Sequence, residues 1–264
     1  MIRTRSRNRC GGINSYQSIG VFVPSTVFDL DATLLASYPG NGQVWYNLED
    51  TPADGSARFS YNMALGLNTT PSTDDPTFTG TAGSPSAYWA FDGTDRFTLN
   101  GSNTTFLNAM HKTTGGTAFW MAAAFKVSDF LGGLPLMTTN LSSTALGMRM
   151  NISSGETIGL IQGDGTTGKV LSASAAQTIG SYITVILSYD GVNVRQWINT
   201  RTKTVTPNTM NVATADAANT FSAFVNSPVG TELKAISMGN SYIDDADAGK
   251  ILDLYNSRHG RTYA

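Results

Sequence analysis

Two segments of this chain share one pattern, in which alternating apolar residues lead into Asp-Gly and then resume. They read YWAFDGTDRFTL at residues 88–99 and ITVILSYDGVNVRQWI at residues 183–198. Asp and Gly favour tight turns, and alternation with a period of two places one face of each strand inward. The pattern predicts two β-hairpins. Their recurrence among many similar runs predicts an all-β protein, an antiparallel β-sandwich.

Composition agrees with a sandwich and excludes several classes of protein. The chain has 264 residues, which one large β domain can contain, and its 27 glycines and 14% charged residues suit short strands joined by tight turns. A single cysteine excludes a disulfide framework and a Cys-rich zinc site. The net charge of −2 makes nucleic acid an unfavourable partner. No apolar run approaches the roughly 18 residues of a membrane span, and no signal peptide is visible, so we expect synthesis in a cytoplasm without membrane insertion.

The amino-terminal segment concentrates positive charge. Residues 1–12 read MIRTRSRNRCGG, with Arg3, Arg5, Arg7 and Arg9 at strict alternation. In an extended conformation all four guanidinium groups would point to one side, where they suit carboxylates of a partner protein or phosphates. Residues 1–27 are therefore predicted to be a basic arm with a leading strand, and residues 28–264 the sandwich domain. The alternative is a free basic tail that contacts nothing.

Further motifs carry a family resemblance. Residues 28–48 read FDLDATLLASYPGNGQVWYNL, with Leu-Asp-Ala, Tyr-Pro-Gly and a Trp-aromatic pair in order, although Asn47 replaces the usual Asp. Together with both Asp-Gly units and the final YIDDADAGKILDLYNSRHG, this resembles the laminin-G-like, concanavalin A-like jelly-roll superfamily, of the kind found in bacteriophage virion proteins. The resemblance spans about residues 28–264. It implies a jelly-roll sandwich and leaves the function open.

The rest of the chain supports that architecture. Residues 49–86 are polar and rich in Pro and Gly, and they predict a long surface excursion. From residue 117 a series of short apolar runs predicts further strands. Residues 242–260 predict a short carboxy-terminal helix, capped by Asp244 or Asp245 and stopped by Gly260. Its apolar stripe is expected to cover one end of the sandwich.

Catalytic machinery is not visible. The only glutamates, Glu49, Glu156 and Glu232, are isolated, so the chain lacks the E-x-D-x-x-E strand of related glucanases. His111 and His259 stand apart and are expected at the surface. Residues 163–170 read GDGTTGKV, but without a hydroxyl after the lysine they predict a turn between strands and not a phosphate loop. We therefore expect a protein that is not an enzyme.

Four turn residues are candidates for a glycan or calcium site. Asp92, Asp95, Asp190 and Asn193 offer oxygen atoms of the kind that calcium and sugar hydroxyls prefer. Hairpin turn chemistry alone also accounts for them. The four tryptophans are expected in the core and not in a sugar-stacking role. Apart from calcium, no cofactor is expected.

Three functions remain open. The favoured hypothesis is a bacteriophage virion structural protein, such as a capsid decoration, neck or tail-associated subunit. Its arginine arm would anchor it to other virion subunits, it would form homo-oligomers, and its sandwich could adhere to host-surface glycans. The first alternative is a free-standing carbohydrate-binding lectin or adhesin. The second is a glycoside hydrolase with an unrecognised carboxylate pair.

Overall fold

The computed structural model of the protein describes residues 17–100, 105–113, 118–129, 133–218 and 220–263. These residues form sixteen β-strands: β1 (Thr26–Asp31), β2 (Val44–Trp45), β3 (Met63–Leu65), β4 (Thr77–Thr79), β5 (Tyr88–Ala90), β6 (Phe97–Leu99), β7 (Phe119–Lys126), β8 (Leu134–Thr138), β9 (Gly147–Ile152), β10 (Thr157–Gly163), β11 (Gly168–Ala176), β12 (Tyr182–Tyr189), β13 (Asn193–Ile198), β14 (Thr204–Pro207), β15 (Ser222–Ala223) and β16 (Glu232–Gly239). The helices are two 3-10 helices (Ile19–Val21 and Arg58–Tyr61), α1 (Thr105–Ala109) and α2 (Asp245–His259).

The strands form two antiparallel sheets. The first sheet has the order β14-β13-β12-β7-β16-β5-β4, and β1 pairs with the part of β16 that β5 leaves free. The second sheet has the order β11-β10-β9-β8-β15-β6-β3-β2. The predicted all-β antiparallel sandwich with a short carboxy-terminal helix is confirmed.

Strand β7 shows how the sequence builds both the core and a second apolar layer. Its residues Phe119, Met121, Ala123 and Phe125 point into the main core between the sheets. The intervening residues, Trp120 among them, point the other way and are equally buried, because α2 packs against them. A strand that is apolar on both faces is therefore covered on both faces.

Helix α2 lies on the outer face of the first sheet. Asp244 caps its start by accepting hydrogen bonds from the backbone amides of Ala246 and Asp247, and Gly260 ends it with a positive φ of 58°, as the sequence predicts. The expected position was wrong, since the helix covers a sheet face and not an end of the sandwich. Trp197 explains this, because its ring packs under the helix and its indole N–H donates to Asp245 at 2.9 Å.

A buried ionic cluster joins α2 to β1. The Arg258 guanidinium donates to both carboxylate oxygens of Asp29, at 2.8 and 3.2 Å, and to Asp31 at 3.3 Å. His259 donates from Nε2 to Asp31 at 3.1 Å and accepts from the Tyr263 hydroxyl at 2.7 Å. Burial lowers the pKa of His259, which agrees with this neutral form of the ring.

Both histidines differ from the expected surface position. His259 belongs to the ionic cluster, and His111 is fully buried near the end of the core, where its Nε2 donates to the carbonyl of Ala215 at 3.0 Å. Burial also lowers the pKa of His111. In both cases helix or loop packing, which a lone histidine in a sequence does not reveal, decides the environment.

Two other local expectations need correction. The first Asp-Gly unit is not a hairpin, because β5 belongs to the first sheet and β6 to the second, so the chain turns a corner between sheets. The second unit is a true hairpin, with Tyr189 paired to Val194. The predicted excursion over residues 49–86 contains β3 and β4, and Met63 of β3 lies in the main core. Among the described helices, none has the length and apolar character needed to cross a membrane.

Candidate functional site

The four predicted turn residues form two separate pairs. Asp190 follows Tyr189, which pairs with the first residue of β7, Phe119. Asp92 comes two residues after Ala90, and Ala90 pairs with Glu232. On its other side Glu232 pairs with Lys126, the last residue of β7. The two pairs therefore lie at opposite ends of an eight-residue strand, about 23 Å apart at about 3.3 Å per residue. They do not form one site.

The hairpin turn at Asp190 is internally satisfied. One oxygen of Asp190 accepts from the backbone amides of Val192 and Asn193, at 3.0 and 2.7 Å, and the other pairs with Arg195 at 2.7 Å. Burial alone would raise the pKa of Asp190, but these partners lower it to about 2. Turn chemistry accounts for both Asp190 and Asn193.

The corner turn at Asp92 differs. Asp95 is only 2% exposed; its Oδ2 accepts from the Asp92 amide at 2.8 Å, whereas its Oδ1 is sealed from solvent without a hydrogen-bond partner. Burial raises the pKa of Asp95 to about 7, and the carboxylates of Asp92 and Asp75 add to the shift. Within the described part of the chain, no group of three or more His, Cys, Asp or Glu residues is placed to hold a metal ion. The calcium site stays a prediction.

The amino-terminal arginines and the four tryptophans are the remaining candidates from the sequence. Arg3, Arg5, Arg7 and Arg9 lie outside the described residues. The four tryptophans are fully buried, as predicted: Trp45 and Trp89 in the main core, Trp120 and Trp197 under α2. Their rings offer no surface to a sugar.

A site that the sequence did not predict lies on the outer face of the second sheet. There, directly paired residues on four neighbouring strands form a polar row: Thr98 of β6, Ser222 of β15, Thr138 of β8 and Arg149 of β9. Their neighbours along each strand point into the main core, as Phe97 and Met148 do, so the row points outward. The row spans three strand spacings, about 14 Å.

The polar row contains sealed polar atoms without partners. Thr98 Oγ1 and Arg149 Nε are buried and lack a hydrogen-bond partner among the described residues. The same holds for Nε of Arg96, the residue directly before β6. Burial lowers the pKa of Arg149, and no described carboxylate lies within ion-pair distance of it. Thr138, in contrast, is bonded to Asn140. Within the polar row and next to it, the unpaired atoms therefore belong to Arg96, Thr98 and Arg149.

A cavity of about 310 Å³ adjoins the polar row on the same face. Arg96 and Asn226 line one side of it, and Arg96 donates to the Asn226 side chain at 3.2 Å. Pro135 and Leu141 line the other side, and Leu141 is 61% exposed. Since Arg96 is two residues from Thr98, the cavity and the polar row are about 7 Å apart along the strands. We call the polar row and the cavity together the outer groove.

The corner turn supports the rim of the outer groove. The backbone carbonyl of Asp95 accepts from the Asn226 amide at 2.9 Å, and the next residue, Arg96, lines the cavity. Asn226 holds a positive φ of 53° at this contact. The predicted pair Asp92 and Asp95 thus lies beside the candidate site and not in it.

Sequence reasoning missed the outer groove because its residues come from distant segments. Alternation shows that Arg149 lies opposite Met148 and Met150, but it does not show which strands become neighbours. A basic residue at the outward position of an otherwise apolar strand, LGMRMNI, was the one available signal.

Comparison with known proteins supports the fold. The sequence matches no known family model and no curated protein. Solved structures do match: Trypanosoma rangeli sialidase in complex with sialic acid has a TM-score of 0.55 at 9% identity, covering 90% of this chain and 34% of that one. The botulinum neurotoxin serotype D binding domain has a TM-score of 0.58 at 11% identity, covering 89% and 51%. The receptor binding domain of the botulinum neurotoxin C/D mosaic serotype has a TM-score of 0.60 at 9% identity, with the same coverage.

These likenesses show a lectin-like β-sandwich fold and nothing finer. The chain spans between a third and a half of the length of the structures named here. None of the three is a virion protein by name.

Proposed function

We propose that this protein is a carbohydrate-binding β-sandwich and that the outer groove holds the glycan. The observation that carries the proposal is a cavity of about 310 Å³ beside the polar side chains of Arg96, Thr98 and Arg149, which leave polar atoms without partners among the described residues. Leaving a buried donor or acceptor unpaired costs about 1–3 kcal/mol, so the free protein gains nothing from them. A ligand rich in hydroxyl and carboxylate oxygens would supply the missing partners.

The shape of the outer groove suits a sugar. Its cavity is at the small end of the range for ligand sites, roughly 300–1,000 Å³, which fits one or two sugar rings. Pro135 and Leu141 give an apolar wall for the C–H faces of a ring, opposite the polar side at Arg96 and Asn226. Hydrogen-bonding groups on one side and apolar contact on the other are what a pyranose ring requires.

The names of the structural neighbours agree with this role without establishing it. Two are toxin domains named for binding, one of them a receptor binding domain, and a third is a sialidase solved with sialic acid. Those properties belong to those proteins. What they lend to the proposal is that a similar sandwich occurs in a protein solved with sialic acid and in a domain named for receptor binding.

We further propose that the protein binds its glycan without cleaving it. Most glycoside hydrolases cleave the glycosidic bond with a pair of placed carboxyl groups flanking it. The residues of the polar row and of the cavity include no Asp or Glu. Asp95, the nearest carboxyl along the chain, lies in the corner turn and does not line the cavity.

The test is a glycan-array screen of the full chain and of Thr98→Val. Wild type should bind a subset of glycans, and loss of one hydroxyl should weaken that binding about fivefold, the equivalent of about 1 kcal/mol. Because Thr98 Oγ1 has no partner in the free protein, the variant should unfold at the same or a higher denaturant concentration.

Thr26→Val is the matched control. The Thr26 hydroxyl donates to the carbonyl of Val23 at 2.6 Å at the edge of the first sheet. Its removal should lower stability and leave glycan binding unchanged. A wild type that binds no glycan, or a Thr98→Val that binds as wild type does, would contradict the assignment of the outer groove.

A virion role remains a second hypothesis, favoured by the separation of charge along the sequence. Residues 1–12 contain four of the chain's 17 basic residues and no acidic residue. Their arginines, Arg3, Arg5, Arg7 and Arg9, would anchor the sandwich to acidic groups of other virion subunits and leave the outer groove free for host glycans. Deletion of residues 1–12 should then abolish incorporation into the assembly but preserve folding and glycan binding. Unchanged incorporation of the deletion variant would exclude this anchor.

A further inference from the structure

Arg149 differs from four of the six other described arginines in what surrounds it. Arg58, Arg195, Arg201 and Arg258 each pair with an aspartate. Arg149 is half-buried on β9, its Nε is sealed without a partner, and its terminal nitrogens have no hydrogen-bond partner among the described residues. A guanidinium offers five N–H donors in a planar fork. None of the five donates to a residue in the described part of the chain.

The surroundings of Arg149 carry positive charge without compensation. Its neighbours in the polar row, Thr138 and Ser222, are uncharged, and across the other side it pairs with Ile161. The second charged residue of the outer groove, Arg96, is also a cation and donates only to the neutral Asn226. Two cations on one face, neither paired with a carboxylate, favour an anionic ligand.

We propose that the ligand of the outer groove is an acidic glycan whose carboxylate binds Arg149. This inference rests on the proposed glycan-binding function and specifies its chemical class. The sugar carboxylate accepts two parallel hydrogen bonds from the Arg149 fork. The sugar hydroxyls bond to Thr98 and to the Arg96 side of the cavity, and a ring face packs on Pro135 and Leu141.

A carboxylate matches the guanidinium of Arg149. Both groups are planar, and their bidentate pairing fixes orientation as well as charge. A neutral sugar would leave the guanidinium charge uncompensated. Carboxylate-bearing sugars such as sialic acids and uronic acids share the required group, and the experiment separates these two sources.

The experiment is calorimetric titration of the full chain with matched ligands. The probes are 3′-sialyllactose, a glucuronic acid disaccharide, and lactose as the neutral parent of the first. Wild type should prefer one or both acidic probes over lactose. Arg149→Gln should reduce that affinity about tenfold or more, because two charge-assisted hydrogen bonds are lost, and should reduce lactose binding by a smaller factor. Arg149→Lys, which keeps the charge and loses the fork, should recover only part of the affinity.

Arg201→Gln is the matched control, since Arg201 is exposed and pairs with Asp253 away from the outer groove. It should bind every probe as wild type does. Arg149→Gln removes a charge with no partner, so its thermal unfolding should match wild type and a folding defect should not confuse the result.

The outcomes separate this inference from the proposed function. Equal affinity for lactose and both acidic probes, unaffected by Arg149→Gln, would overturn the acidic ligand and leave glycan binding intact. A preference for sulfated over carboxylated glycans would likewise overturn it. Absence of binding to any glycan on the array would instead reject the proposed function itself.

Discussion

Two buried aspartates of the same sandwich, Asp31 and Asp95, have side-chain pKa values shifted in opposite directions. Burial opposes ionisation of Asp31, but His259 and Arg258, at 3.1 and 3.3 Å, hold its pKa well below the usual range. Asp95 has no cationic partner among the described residues, and burial beside Asp92 raises its pKa to about 7. The same side chain is a stabilising anion in one place and a nearly neutral acid in the other.

The difference extends to the two outer faces. On the first sheet, α2 seals the face, and the charged groups at its end form one buried ionic cluster in which Arg258 pairs with both Asp29 and Asp31. On the outer face of the second sheet Arg149, and in the corner turn beside it Asp95, have no counter-charge among the described residues. A buried group with its partner in the same chain holds the fold together. In the outer groove, polar groups without partners among the described residues lie beside a cavity, which is why we propose recognition on the second sheet.

The largest expected loss of stability comes from breaking the buried ionic cluster. Arg258→Met keeps most of the side-chain volume but leaves Asp29 and Asp31 buried without a guanidinium. Removing one partner of a buried ion pair costs about 3–5 kcal/mol, and denaturant unfolding should show a loss of that size. Arg258→Lys, which keeps the charge without the bidentate fork, should lose less.

Arg201→Gln supplies the comparison for Arg258. Its ion pair with Asp253 is about half-exposed on both sides, and exposed pairs contribute about 0–1 kcal/mol. Equal losses for Arg258→Met and Arg201→Gln would show that the buried cluster does not hold α2 to β1. The contrast between the two faces would then fail.

Much of the fold could be predicted because the decisive signals are local. Alternation located the strands, the Asp-Gly pair closed the hairpin between Tyr189 and Val194, and Asp244 and Gly260 bounded α2. The errors arose where a local pattern has two tertiary outcomes. The Asp-Gly turn after Phe91 looks like a hairpin, but its flanking strands join different sheets.

The candidate site could not be predicted for the same reason. Thr98, Ser222, Thr138 and Arg149 adjoin only because β15 inserts between β6 and β8, and no short-range pattern encodes that strand order. Asp190 and Asn193 carry polar groups of the kind that bind a ligand, but the oxygens of Asp190 already accept hydrogen bonds within the turn, from the backbone amides of Val192 and Asn193 and from the Asn193 side chain. What distinguishes a ligand-binding group from a turn residue is whether its hydrogen bonds are already made, and only the structure shows this.

A smaller effect sharpens the contrast at Asp95. Between the unfolded pKa of an aspartate, about 3.9, and the folded pKa of Asp95, about 7, the folded state holds a proton that the unfolded state has lost. The free energy of unfolding therefore falls as the pH rises through this window. Asp95→Asn cannot ionise and keeps an oxygen for the Asp92 amide. As the pH rises, the free energy of unfolding of this variant should fall less steeply than that of wild type. The two slopes should differ by at most about 1.4 kcal/mol per pH unit.

Urea unfolding of both proteins at several values between pH 4.5 and 8 measures this difference. The buried histidines titrate in the same window, but they are common to both proteins and cancel, while Asp92 and Asp75, whose charges face Asp95, stay in place. Asp190→Asn at the other Asp-Gly turn is the control: its carboxylate is already ionised above pH 4, so the slope should match wild type. If Asp95→Asn and wild type had equal slopes, Asp95 would be charged in the folded protein. Its unpaired oxygen would then require a cation, and the calcium prediction at the corner turn would gain the support that the described residues do not give it.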